Sequence, residues 1–151
     1  MEFFLQFIVG VGIAALSSFI TVRLSLARFR TEKWWEKKVS AYEKVIEAFH
    51  GSKKFSTEHM DAEYNGKEIS KERDEELRAI AKVAREEILK ATDIGSFILS
   101  DEALKILKDY EKESAKSSKC DTWFEYLDSD WGVVDKYMKK IIAEAKRDLK
   151  H

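Results

Sequence analysis

At 151 residues, with 27 basic against 28 acidic side chains, the chain has room for one domain of ordinary size and a mixed-sign surface. It lacks the one-sided positive field that tracks a phosphate backbone, which argues against a nucleic-acid partner. Cys120 is the only cysteine, so an intramolecular disulfide is excluded and a reducing compartment fits, while the absence of proline and the presence of only six glycines favour long helices over a turn-rich β fold.

From Phe3 to Val22 the sequence contains no ionisable residue. Twenty helical residues rise about 30 Å, the thickness of a bilayer's hydrocarbon core, so this run predicts one transmembrane helix. A secretory signal peptide is the weaker reading, because Met1 and Glu2 supply no positive leader and the apolar run is too long. Glu2 is the only charge before the span, whereas Arg23, Arg28, Arg30, Lys33, Lys37 and Lys38 follow it closely. Positive charge stays inside, which predicts an N-terminus outside and a cytoplasmic remainder. Within the span Gly10, Ala14 and Ser18 recur every fourth residue, and Ser17 and Thr21 widen that face. Small residues at this spacing let two helices approach closely; they are also common in membrane helices generally, so self-association and plain composition both remain open.

Residues 27–49 contain no breaker, and Trp35, Val39, Tyr42, Ile46 and Phe49 alternate spacings of four and three. This predicts a helix continuing out of the span with a heptad-like seam, broadened by Ala41, Val45 and Ala48. Trp34 and Trp35 lie among cations, a mixture that suits a headgroup layer. A dozen helical residues past Val22 amount to roughly 18 Å, however, and the expectation is that both rings pack within the domain.

Residues 51–70 are polar and contain Asn65-Gly66, a turn signal, so the segment is expected to be a loop. His50 and His59 fall beside it and, with Asp61, show no recognised ligand spacing; they read as surface histidines. Ser70 is expected to cap a second helix over 71–97, with Leu77, Ile80, Ala84, Ile88 and Ala91 on one face, and Ser100 a short third helix ending near Ser114. After a polar loop over 116–119, Leu127, Trp131, Val134, Met138, Ile141, Ala145 and Leu149 mark a last amphipathic helix, with a fresh start possible at Asp130. The aromatic group Trp123, Phe124, Tyr126 and Trp131 is expected to serve the core, with a partner-binding patch as the sharper alternative.

No glycine-rich phosphate cradle, no paired histidines and no cysteine pair is present, and the carboxylates alternate with lysines as solvated helical ion pairs. Arg147 and His151 are too close together to fit the Arg-to-His spacing of all-helical nucleases of the higher-eukaryote and prokaryote nucleotide-binding type. The expectation is therefore no enzyme, no cofactor and no metal.

The segment Phe29-Arg30-Thr31-Glu32-Lys33-Trp34-Trp35-Glu36-Lys37-Lys38, followed by Ala41-Tyr42 and Ile46, resembles that of small bacterial proteins with one N-terminal membrane helix. The resemblance implies a bacterial inner-membrane location and an association with mobile or defence genes; it carries no catalytic residues. The sequence thus predicts an all-α chain: a membrane anchor over 1–26, then a cytoplasmic bundle of about four helices over 27–151. The expected function is that of a noncatalytic, membrane-anchored assembly protein that forms a homo-oligomer or binds a protein partner. The alternative is a membrane-perturbing effector of a phage-defence type response.

Overall fold

The computed structural model describes the backbone of residues 2–117 and 120–150 and the side chains of residues 16–116 and 120–150. The described chain is all-α: α1 is Glu2–Tyr64, α2 is Lys71–Ile94, α3 is Asp101–Ser117 and α4 is Trp123–Asp148, with a 3-10 turn at Gly95–Phe97 after α2. Two compact units divide it, Met1–Glu36 and Lys37–His151.

In the first unit the described apolar side chains are exposed, Leu16, Phe19, Ile20, Val22 and Leu24 each by half or more. Among the described residues no helix is long and apolar enough to cross a membrane. The span expected at Phe3–Val22 falls mostly on residues 3–15, whose side chains lie outside the described ones, as do Gly10 and Ala14. Trp34 and Trp35 belong to this unit and are 43% and 51% exposed. The expectation that they pack inside the domain is corrected, because the buried stripe of α1 begins one turn or more later, at Tyr42.

The second unit is a helical bundle. Its main core joins Tyr42 and Phe49 of α1, Ile88 of α2, Leu107 of α3 and Val134 and Ile141 of α4. Phe49 meets Tyr110 edge to face with centroids 4.8 Å apart, and Tyr110 meets Tyr137 in the same way at 5.8 Å. A smaller cluster of Phe55, Leu77 and Leu127 closes the other end of the unit. The seam expected on α1 is realised over part of its length: Tyr42 and Phe49 are buried, Val39 and Ile46 half-buried, Trp35 exposed.

The loop expected over 51–70 is largely helix. Residues 51–64 complete α1, and the chain breaks only after Tyr64. Ser52, Phe55, Ser56 and His59 form a buried face at helical spacing, but three of the four are polar, which hides the period from any count of apolar residues. Their burial is tolerated because partners meet them. Ser56 Oγ donates to Asp130 Oδ2 at 2.6 Å, and Lys53 Nζ donates to Asp135 Oδ1 at 2.5 Å while lying over the Trp131 ring. Trp131 Nε1 donates to Thr57 Oγ1 at 3.1 Å. The Asn65-Gly66 signal is sound but ends the helix: Gly66 takes φ +60°, Lys67 N–H donates to the Ala62 carbonyl and Gly66 N–H to that of Glu63. That pair of bonds is a Schellman stop, for which a left-handed glycine is the usual residue.

His59 is likewise corrected from a surface residue to a buried one. Its Nδ1 lies 2.8 Å from the Phe55 carbonyl and its Nε2 2.8 Å from Asp74 Oδ1. His50 is exposed as expected.

The remaining boundaries follow their caps. Ser70 Oγ accepts from Arg73 N–H, Ser100 Oγ from Ala103 N–H and Thr122 Oγ1 from Glu125 N–H, each bond satisfying one orphan donor of a first turn. α2 gives way to the 3-10 turn at Gly95, and α3 extends past Ser114 to Ser117, leaving Lys116 helical. Ser118 and Lys119, the remainder of the expected polar loop, lie outside the described residues. α4 starts at Trp123 and runs unbroken through Gly132. Asp130 is not a cap; it points inward to Ser56.

Candidate interaction surface

The apolar groups that α2 does not bury are the clearest departure from an ordinary soluble bundle. Val83 is 59% exposed and Ile94 62%, and Phe97 in the following turn is 73% exposed. They arise because α2 carries apolar residues on more than one stripe, whereas only Leu77, Ala84, Ile88 and Thr92 are buried along it.

Between α2 and α1 runs a groove of about 610 Å³ whose floor is Ala48, Gly51, Ile80, Val83 and Ala84. Small residues let the helices close on each other here. A Cβ on Gly51 would stand 3.4 Å from Ile80 Cγ2 and 3.5 Å from Ala84 Cβ, ordinary contact distances. A second groove of about 310 Å³ continues toward the turn, past Ala41, Ala91 and Ile94. The two share Lys44, Glu87 and Lys90. The rim therefore alternates in sign, with Lys44 and Glu47 on α1 facing Glu87 and Lys90 on α2, and Lys90 stands 3.6 Å from Glu87.

The juxtamembrane cations are engaged mainly along their own helix. Arg23 sits over the Phe19 ring at 5.4 Å and Lys33 over that of Phe29 at 5.8 Å. Arg28 pairs with Glu32 at 3.0 Å and Lys33 with Glu36 at 2.6 Å, so part of the positive charge is answered along the helix itself. Arg30 and Lys37 are exposed, and Lys37 borders the second groove. Lys38 is used differently: it pairs with Asp148 Oδ1 at 2.6 Å, half-buried at the end of α4. Burial pushes the Asp148 carboxyl up, but the Lys38 ammonium and the Tyr42 hydroxyl together hold it below the usual carboxylate value. Burial likewise raises the Tyr42 phenol to about 12.

Of the expected small face, Ser17, Ser18 and Thr21 are described and exposed, and Thr21 Oγ1 donates to the Ser17 carbonyl at 2.8 Å. The aromatic group splits. Trp123 stacks on Tyr126 at 5.4 Å and meets Phe55 and His59 edge to face, yet keeps 43% of its surface exposed; Phe124 is 44% exposed, and Trp131 is spent on Thr57 and Lys53.

Among the described residues no group of three His, Cys, Asp or Glu side chains is placed to hold a metal ion. The charged residues of the second unit act instead as struts between helices. Glu58 accepts two bonds from Arg73, whose guanidinium holds that carboxyl low, and Arg73 also bonds Glu76. Glu113 is held low by Lys136 and then by Tyr137. Comparison with family models, curated proteins and solved structures finds no match.

Proposed function

We propose that this chain is a noncatalytic, membrane-tethered assembly protein: the helix at its N-terminus spans a bacterial inner membrane, and copies associate through the span and through the α1–α2 groove. The single observation that carries the reading is the exposure of apolar surface in two places where water is a poor neighbour. One is the run from Leu16 to Leu26 on α1; the other is the groove with Val83 and Ile94. Large contiguous apolar surface usually has a cover, lipid or protein.

The occupant of the groove is a second copy of this chain. Its rim supports that choice, because a two-fold operation can place Lys44 and Lys90 of one copy opposite Glu47 and Glu87 of the other. A surface with charges of both signs at matched positions is complementary to itself, and tethering two copies in one membrane raises their effective concentration. For the span, the Thr21 hydroxyl is met by its own helix backbone, which suits a lipid surrounding. The cations after it support a cytoplasmic second unit.

The test is Val83→Asp with Ile94→Asp in the full-length protein, read as native mass after gentle extraction. A fall in oligomer number with the helical signal retained supports the groove as the contact. An unchanged oligomer removes it.

A further inference from the structure

Asp130 is a buried acid that the assembly reading does not use. It is 4% exposed, on α4, and its one hydrogen bond among the described residues engages Oδ2 with Ser56. Among the described residues no buried side-chain oxygen or nitrogen lacks a partner. Asp130 lines two neighbouring cavities, of about 290 Å³ and 340 Å³, which also share Tyr126, Arg85 and Leu89. Burial pushes the Asp130 carboxyl up, offset in part by Ser56 and by the charge of Arg85. A carboxyl held at a cost beside a cavity is the pattern of a functional site as well as of a strut.

The rest of the cavity has a polarity. The buried Tyr110 hydroxyl sits with those of Ser52 and Ser114. Ile88, Leu89 and the Tyr126 ring make apolar walls. At the mouth Arg85 is exposed and makes no ion pair or hydrogen bond among the described residues, and Lys82 and Arg78 stand one and two turns before it on α2. Lys82 lies 4.0 Å from Glu86 and Arg78 is engaged with Asp74 at 2.8 Å, whereas Arg85, whose charge also acts on Asp130, has no such partner among the described residues. Glu111 and Glu86 also border the cavities, so a ligand made only of negative charge would meet repulsion.

We propose that this cleft between α1, α2, α3 and α4 binds a small molecule that joins a planar guanidine-type N–H edge, received by Asp130, to an anionic group received by Arg85. Two sources carry that chemistry: free arginine, with its guanidinium and carboxylate, and a guanine nucleotide, with its N–C–N donor edge and phosphate. A carboxylate receives such a fork through parallel hydrogen bonds, and a guanidinium suits an oxyanion for the same reason. Asp130 Oδ1 and the second lone pair of Oδ2 serve the fork while Ser56 holds the group in place. The flat part of the ligand lies along Tyr126 and Leu89. Ligand binding here touches all four helices of the second unit and so has a direct route to its stability.

The experiment titrates full-length protein in mild detergent with L-arginine, with GMP, and with agmatine, which keeps the guanidinium but lacks the carboxylate, reading heat of binding and thermal midpoint. Saturable binding of arginine or of GMP supports the site, and which one binds identifies the source. Agmatine should bind about tenfold or more weakly than arginine if arginine is the ligand. Asp130→Asn keeps an acceptor for Ser56 and should weaken binding about ten- to a hundredfold with the fold intact; Arg85→Ala should weaken it about tenfold or more. No binding of either probe at millimolar concentration, or binding that both variants leave unchanged, overturns the proposal.

Discussion

Residues 16–36 and 37–64 belong to one helix and have opposite surfaces. In the first stretch the large apolar side chains Phe19, Leu24 and Phe29 are exposed; in the second Ser52, Ser56 and His59 are buried. The same backbone geometry serves both, so what differs is the surroundings each side chain is made for. Exposed leucine and phenylalanine are stable where lipid or another copy replaces water, and buried serine is stable where a carboxyl such as that of Asp130 accepts its proton. Hydropathy along the sequence predicts burial only when the partner is apolar.

The comparison can be broken most severely in the second stretch. Phe49→Ala empties a fully buried ring site against Tyr110 and should cost about 3–5 kcal/mol of unfolding free energy in a denaturant titration, while membrane fractionation stays as it was. In the first stretch Leu16→Asp tests the proposed span and should do the reverse: a carboxylate there should oppose insertion by about 2–3 kcal/mol, read as protein lost from the membrane fraction with the bundle's unfolding unaltered. Ser56→Ala removes the donor that Asp130 accepts and should cost about 1–3 kcal/mol, although it adds apolar character to a helix face.

Smaller effects sharpen the contrast by pH. Burial raises the Asp130 carboxyl in the fold, so its contribution favours folding below the ordinary carboxylate value and is lost as pH rises through the folded one. Asp130→Asn should therefore gain stability at neutral pH and gain nothing below about pH 4. Asp135, held low by Lys139 and then Lys53, and Glu113 run the other way. Their contribution is present above the unfolded carboxylate value and fades as pH falls through the folded one. Chemical denaturation from pH 3 to pH 8 on wild type and Asp130→Asn separates the two signs.

The all-α class was legible in the lack of proline and in the clean periods of α2, α3 and the later part of α4. Ser70 and Ser100 announced their helices correctly because a cap is a local bond, settled within three residues. Residues 51–64 were not legible, since their helical face is paid out in serine and histidine whose acceptors lie on α4 and α2. Asp130 misread as a cap for the same reason: its partner is 74 positions away in the sequence. The groove was invisible because it needs two helices to exist, although exposed Val83 and Ile94 lie off the periodic face that the sequence does show.

The central claim, that copies of this chain assemble in a membrane, is tested most directly by crosslinking the full-length protein in intact membranes and measuring its native mass after mild extraction. A discrete homo-oligomer recovered from the membrane fraction, and reduced by Val83→Asp with Ile94→Asp, is the predicted result. A monomer, or protein recovered entirely outside the membrane fraction, would contradict it.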